Sequence, residues 1–290
     1  MSKIAITTDS NSGIKQSECT DNLFVLPMPF LIDENEYFED INLSTEKFFD
    51  FQINGSSIST SQPSITSVAE LWRNALTKND YVIHIPMSSS LSSSCDTAKM
   101  IAQDDEFSGK VFVVDNQRIS VTQKASVYEA LKLAELGKSA QEIANYLTNT
   151  KQNNSIYIMV PDLKYLKKGG RITKTAAAIG TLLKIKPVLQ IQGGKLDSFA
   201  KVLSIKIAKD KMINAIKNDI AKRFNNIGES HKLELDVAYT FDKTLADEFC
   251  QEIKQHFPDM EIKYVDPLSL SVSCHIGPNA LAIALSVILK

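Results

Sequence analysis

Hydroxyl groups, more than any titratable side chain, are what this chain concentrates. One tract, SSISTSQPSITS, runs from Ser56 to Ser67, and another, SSSLSSS, runs from Ser88 to Ser94 directly after the apolar run YVIHIP. Strand-like pattern precedes each tract and helix-like pattern follows it, so neither reads as a flexible linker. A hydroxyl loop feeding a helix start gathers small donors and free backbone N–H groups in one place. That is an anion site built without lysine or arginine. It suits a carboxylate or phosphate whose charge must be held but not locked in an ion pair. For the first tract, a plain loop in which Ser64 caps the next helix is the simpler alternative. The second tract follows a strand end, where open α/β sheets bind ligands.

Other chemistry-bearing residues are sparse. His275 precedes Gly277-Pro278 in a mostly uncharged segment. A Ser–His pairing would suggest hydrolase chemistry, but no G-x-S-x-G elbow is present and no acid is marked as orienter. His84 lies inside a strand pattern and reads as packing, while His231 and His256 read as surface residues. No H-E-x-x-H or other metal-ligand spacing occurs. Lys167-Lys168-Gly169-Gly170-Arg171 reads as a basic turn, either a solvated hairpin or a surface that reads phosphate and carboxylate. The glycine pairs match neither phosphate-loop pattern. Asp9-Ser10, at a strand end, is a weak signal by itself.

The chain of 290 residues, 43% hydrophobic and 23% charged, can bury a full core in one large or two ordinary domains. A formal net charge of −2, with no long basic tract, disfavours nucleic-acid binding. The four cysteines are scattered, which fits a reducing compartment rather than a disulfide framework. MSKIAITTDS is too short an apolar run for a signal peptide, and no stretch reaches the roughly 20 apolar residues of a membrane span. A soluble, cytoplasmic protein is expected.

The elements that must position the serines alternate between strand and helix. Strands are predicted over Lys3–Thr8, Tyr81–Pro86 and Lys110–Asp115, with Phe24–Ile32 demoted to an edge or extended segment by Pro27 and Pro29. Helices are predicted over Leu43–Phe51, from Ile65 to Leu76, over Ser92–Gln103 and over Ile119–Leu136. Another opens with the capping box Ser139-Ala140-Gln141-Glu142. This alternation predicts a mainly parallel sheet covered by helices on both faces. A polar stretch at Lys151–Asn154 reads as a linker, dividing the chain into 1–152 and 153–290. Beyond it, strands are predicted over Ser155–Val160, Pro187–Gln192, Leu233–Thr240 and Glu261–Val265. Helices are predicted over Ala176–Lys184, Ile205–Phe224 and Leu245–Phe257, with a terminal apolar helix opened by Pro278. The small-residue helix and the terminal helix can pack in a core or wall an apolar cavity.

In this order the pieces resemble the DegV family, which includes the fatty-acid-binding subunits of bacterial fatty acid kinase. The markers are TTDS (residues 7–10), TSQPS (60–64), SSSLSSS (88–94), VVDN (113–116), LKKGGRI (166–172), GTLLKIKPVL (180–189) and CHIGP (274–278). They are collinear over nearly the whole chain. The resemblance implies an N-terminal α/β/α domain with a mainly parallel sheet and a C-terminal α/β domain with a mixed or antiparallel sheet. It implies a long-chain fatty acid, its tail in an apolar tunnel at and beyond the junction and its carboxylate held by hydroxyls. Residue by residue, it places Thr60, Ser61 and Ser92 at the head group and His275 in the carboxylate network. Arg171 falls on the side that meets an ATP-dependent kinase subunit.

The implied protein is a carrier without catalytic activity of its own. It would need no cofactor or metal, would not bind nucleic acid and would touch membranes at most transiently. The partner kinase would phosphorylate the bound acid, and the carrier would hand on acid or acyl phosphate toward phospholipid synthesis. Rival readings are a hydrolase or acyltransferase using Ser92 and His275, and a carrier of another amphiphilic acid. Ser93-Ser94, Asn116 and Asn279 depart from the family's usual residues, as does Leu203-Ser204 where an arginine usually stands.

Overall fold

A computed structural model describes residues 2–39, 41–177 and 185–290. Two compact units emerge, Met1–Ser44 with Ser57–Gln152, and Thr45–Ser56 with Asn153–Lys290. In chain order, the first unit contains β1 (Ile4–Asp9), β2 (Leu23–Leu26), β3 (Pro29–Ile32) and β4 (Asn35–Phe38). After α1 (Thr45–Ile53), which belongs to the second unit, come β5 (Ile58–Thr60), α2 (Ile65–Leu76), β6 (Tyr81–Ile85) and α3 (Ser94–Ile101). β7 (Val111–Val113), α4 (Val121–Glu135) and α5 (Ala140–Asn149) complete it.

The main sheet of this unit has the order β2-β1-β6-β7 and is parallel throughout. Helices cover both faces, and strand alternation shows how. Thr7 bonds His84, whose ring lies edge-on to Trp72 of α2. Thr8, on the opposite face, accepts from the side chain of Gln123 on α4. Trp72 is fully buried with Val68, Ala75, Ala98 and Phe107 against Ala5 and Val82. His84 therefore packs, as its strand setting suggested. Ser139 caps α5 and Glu142 returns the bond, the capping box legible in the sequence.

The prolines divide the segment read as one edge strand. β2 is the sheet's edge, and Pro29 opens β3 in a separate antiparallel sheet of order β4-β3-β5. That second sheet was not expected, because its strands are only three or four residues long. It matters here because β5 carries Thr60, paired with Phe30.

In the second unit follow β8 (Asn154–Met159), α6 (Lys164–Gly169), α7 (Lys174–Ala177), β9 (Lys186–Ile191), β10 (Asp197–Val202) and α8 (Ile205–Lys222). Then come β11 (His231–Tyr239), α9 (Lys243–His256), β12 (Ile262–Pro267), α10 (Leu270–Ile276) and β13 (Leu281–Leu289). The sheet order is β10-β9-β8-β13-β11-β12, antiparallel except for the parallel pair β11–β12. Met212, Ile213 and Ile216 of α8 and Phe249 and Ile253 of α9 bury one face of it.

One expectation is corrected here. The terminal apolar segment is not a helix but strand β13, the partner of both β8 and β11. Residues 281–287 of this strand are buried on both faces, so its apolar run has no period that distinguishes strand from helix. The helix lies one step earlier, as α10, capped by Ser269. Most of the small-residue helix read over Ala176–Lys184 lies outside the described residues, as does the start of the marker at 180–189; the described part is the short α7.

Candidate ligand-binding site

The carboxyl ends of the four parallel strands share one edge, and the loops that leave them meet there. β1 has β2 on one side and β6 on the other, so the strand order reverses between β1 and β6. The serine loop leaves β6 at this point. At its far end Ser93 precedes α3 without a side-chain cap bond, and Ser92 Oγ accepts from the N–H of Ser94 at 3.2 Å. Ser92 is half-buried, and among the described residues nothing accepts its hydroxyl proton.

The first tract ends beside the second. Thr60 closes β5, Ser61 donates its N–H to Pro29 O, and Ser64 caps α2 by accepting from Ser67 N–H. Gln62, between them, accepts from Thr97 Oγ1 on α3 at 3.1 Å. Ser61 is exposed and Thr60 half-buried. Thr60, Ser61 and Ser92 thus all belong to the first unit, on two segments that the bond from Thr97 to Gln62 joins.

Part of the expectation about the serine loop fails. From Met87 to Ser92 its backbone N–H groups are not free. Met87 donates to Asp9 Oδ2 at 2.7 Å, Ser88 to Arg118 O, Ser89 to Asp115 Oδ1, Ser90 to Ser88 Oγ, and both Leu91 and Ser92 to Ser88 O. Over this stretch the amides are spent on the loop itself and on the segments around it. What this stretch can offer a ligand is hydroxyl protons.

The residues that consume those amides were not picked out as site residues. Asp9 is buried, and its carboxylate also accepts from Asn11 N–H at 3.1 Å and Gln123 Nε2 at 3.2 Å. Burial pushes its carboxyl above the usual range, against the pull of those donors. Asp115, just beyond β7, accepts the Ser89 hydroxyl at 2.6 Å, and Lys99 lies 3.8 Å away. The available signal was an acid immediately after an apolar strand, at Asp9 and again at Asp115.

In the second unit, α6 and α10 pack face to face through two glycines. The His275 ring lies so close to Gly169 that a Cβ there would sit 2.1 Å from its Nδ1. A Cβ on Gly277 would sit 2.3 Å from the Tyr165 ring, and Gly277 has φ +82. Burial, with the Arg171 guanidinium adding to it, pushes the His275 imidazole down to about 4. At neutral pH it is therefore an uncharged hydrogen-bonding group.

The basic residues before Arg171 do not form a hairpin. Lys167 and Lys168 occupy the last turn of α6, where cations complement the helix dipole, and left-handed Gly170 caps it. Arg171 is half-buried rather than exposed and donates to Gly169 O. Among the described residues no cluster of His, Cys, Asp and Glu is suited to hold a metal, and no helix is long and apolar enough to cross a membrane.

These features define an α/β protein of two units with a hydroxyl-bearing loop at the carboxyl edge of a parallel sheet. The chain belongs to the DegV family: the model described as "Uncharacterised protein, DegV family" matches residues 3–287. DegV domain-containing protein TTE1491 of Caldanaerobacter subterraneus is 29% identical over 287 residues, covering 97% of each chain. A fatty-acid-binding DegV family protein from Thermus thermophilus is 26% identical, with a TM-score of 0.88 over 99% of this chain and 100% of its own. A stearic-acid-binding protein from Eubacterium ventriosum, 21% identical, shares the fold with a TM-score of 0.86 over 99% and 98%.

Proposed function

We propose that the protein binds a long-chain fatty acid and holds its carboxylate with neutral hydroxyl donors, chiefly Ser92 with Thr60 and Ser61. The observation that carries this reading is the unspent hydroxyl proton of Ser92, on a loop whose backbone N–H groups from Met87 to Ser92 are already committed. The likeness of the whole chain to the fatty-acid-binding Thermus protein supports it. Burying about 14 methylenes at about 0.8 kcal/mol each supplies on the order of 11 kcal/mol gross, which ordering and association costs reduce considerably. The tail then carries affinity, and the head group needs orientation more than charge pairing. His275, neutral at physiological pH, is assigned to hydrogen bonding with the ligand rather than to general-base catalysis.

Neutral donors leave a carboxylate oxygen nucleophilic. The reading extends to a partner kinase: that oxygen attacks the γ-phosphorus of ATP held by the partner, ADP leaves, and an acyl phosphate remains on the carrier. Arg171 is assigned to docking of that partner.

Native mass spectrometry of the gently purified protein tests the reading. A stoichiometric fatty acid is expected. Protein that is empty, gains no thermal stability from added fatty acid and turns over esters would replace the carrier by a hydrolase using Ser92 and His275.

A further inference from the structure

Asp9 and Asp115 stand at the ends of two strands of one sheet and reach the same loop from both sides of β6. Asp9 takes the N–H of Met87, where the chain leaves β6. Asp115 takes both the N–H and the hydroxyl of Ser89, at 3.3 and 2.6 Å, and also the N–H of Gln117 on its own loop at 3.4 Å. Between these two anchors, Arg118 O takes the N–H of Ser88, and Ser88 itself accepts from Ser90, Leu91 and Ser92. Every amide from Met87 to Ser92 is thereby held before a ligand arrives.

Carboxylates accept and do not donate, so neither acid can hold an anionic head group; close by, each would repel it. Their chemistry suits the loop's donors. Resting on the fatty-acid reading above, we infer that Asp9 and Asp115 are positioning residues that clamp the serine loop. In this arrangement Ser89 is a locking serine, with its hydroxyl spent on Asp115, whereas Ser92 keeps its hydroxyl proton and the buried Ser94 Oγ has no partner among the described residues. Hydroxyl count alone therefore does not measure the site's donor capacity. Gln123 holds the Asp9 end. Its amide nitrogen reaches Thr8 Oγ1, Asp9 Oδ1 and Ile85 O at 3.0–3.2 Å, tying the carboxylate to the ends of both β1 and β6.

The test compares wild type, Ser89→Ala, Asp115→Asn and the double variant in the full chain. The measurements are affinities for palmitate and for 1-hexadecanol, and amide hydrogen exchange over residues 87–92. Each single variant should weaken palmitate about tenfold, the scale of one lost charge-assisted bond. The double variant should be no weaker than the worse single, because the two side chains share one link. Hexadecanol affinity should change by less than about twofold, and exchange should accelerate in the loop alone. Equal losses for acid and alcohol, or additive single effects on palmitate, would overturn the clamp. Unchanged loop exchange would overturn it whether or not any lipid binds. If wild type binds no palmitate while loop exchange accelerates as expected, the fatty-acid reading fails and the clamp stands as a device for another ligand.

Discussion

Ser92 has an acceptor role already filled by Ser94 N–H and a donor role with no described taker. Its replacement by alanine should cost the carboxylate one charge-assisted bond, roughly 1.5–3 kcal/mol, or about ten- to hundredfold in affinity. Thr60→Ala and Ser61→Ala should act in the same direction. A fatty alcohol should be much less sensitive, and titrations with matched acid and alcohol decide it. Equal losses would mean that these residues shape the tail site or the fold instead.

The histidines make a second prediction at this scale. His84 is fully buried and pushed down to about 3 by burial, and His275 is pushed down to about 4. Both are neutral in the folded protein, whereas in the unfolded chain each takes up a proton below about pH 6.5. Their contribution to stability is complete above that value and is lost as the pH falls toward 4. Asp9 works oppositely, since its raised carboxyl loses stability as pH rises through its folded value. Each histidine should contribute on the order of 2 kcal/mol to the acid-side loss. Melting temperatures between pH 7 and 4 should fall less steeply in His84→Gln than in wild type; parallel profiles would remove His84 from the account.

At the scale of elements, the contact between α6 and α10 depends on two residues without side chains. Gly277→Ala must strain a positive φ and displace the Tyr165 ring, and should cost about 2 kcal/mol or more. Gly169→Ala should do less to stability and more to His275, whose ring it would push away. Denaturant melts should show the first effect, and NMR titration of His275 in Gly169→Ala the second. A Gly277→Ala protein as stable as wild type would show that α10 can shift without penalty. The serine loop is an element in the same sense, shaped by bonds from β1, β6 and the segment after β7.

For the whole molecule, a ligand that binds only the folded state stabilises it by mass action, about 2.7 kcal/mol at a hundredfold excess over Kd. Added long-chain fatty acid should therefore raise the melting temperature of lipid-stripped protein by several degrees, at about 2–4 °C per kcal/mol. Arg171→Ala should leave that shift intact and lower acyl phosphate formation with a cognate kinase. Its half-burial and its bond to Gly169 O make the first arm a real risk for the docking role. If the variant releases lipid, or couples to the kinase unchanged, Arg171 is structural.

Much of this was legible before any coordinates. Period and punctuation are local, so the alternation around β1, β6 and β7 and the capping box at Ser139 could be read directly. The sequence by itself also located the serine tracts and, through collinear motifs, the family. Tertiary structure alone decided what needs a distant partner. An all-apolar run becomes β13 because β8 and β11 flank it, and a strand buried on both faces carries no period of its own. Ser89 and Ser92 are the same residue type three positions apart. Only the arrival of Asp115 from another strand makes one of them a lock and leaves the other with a proton to give.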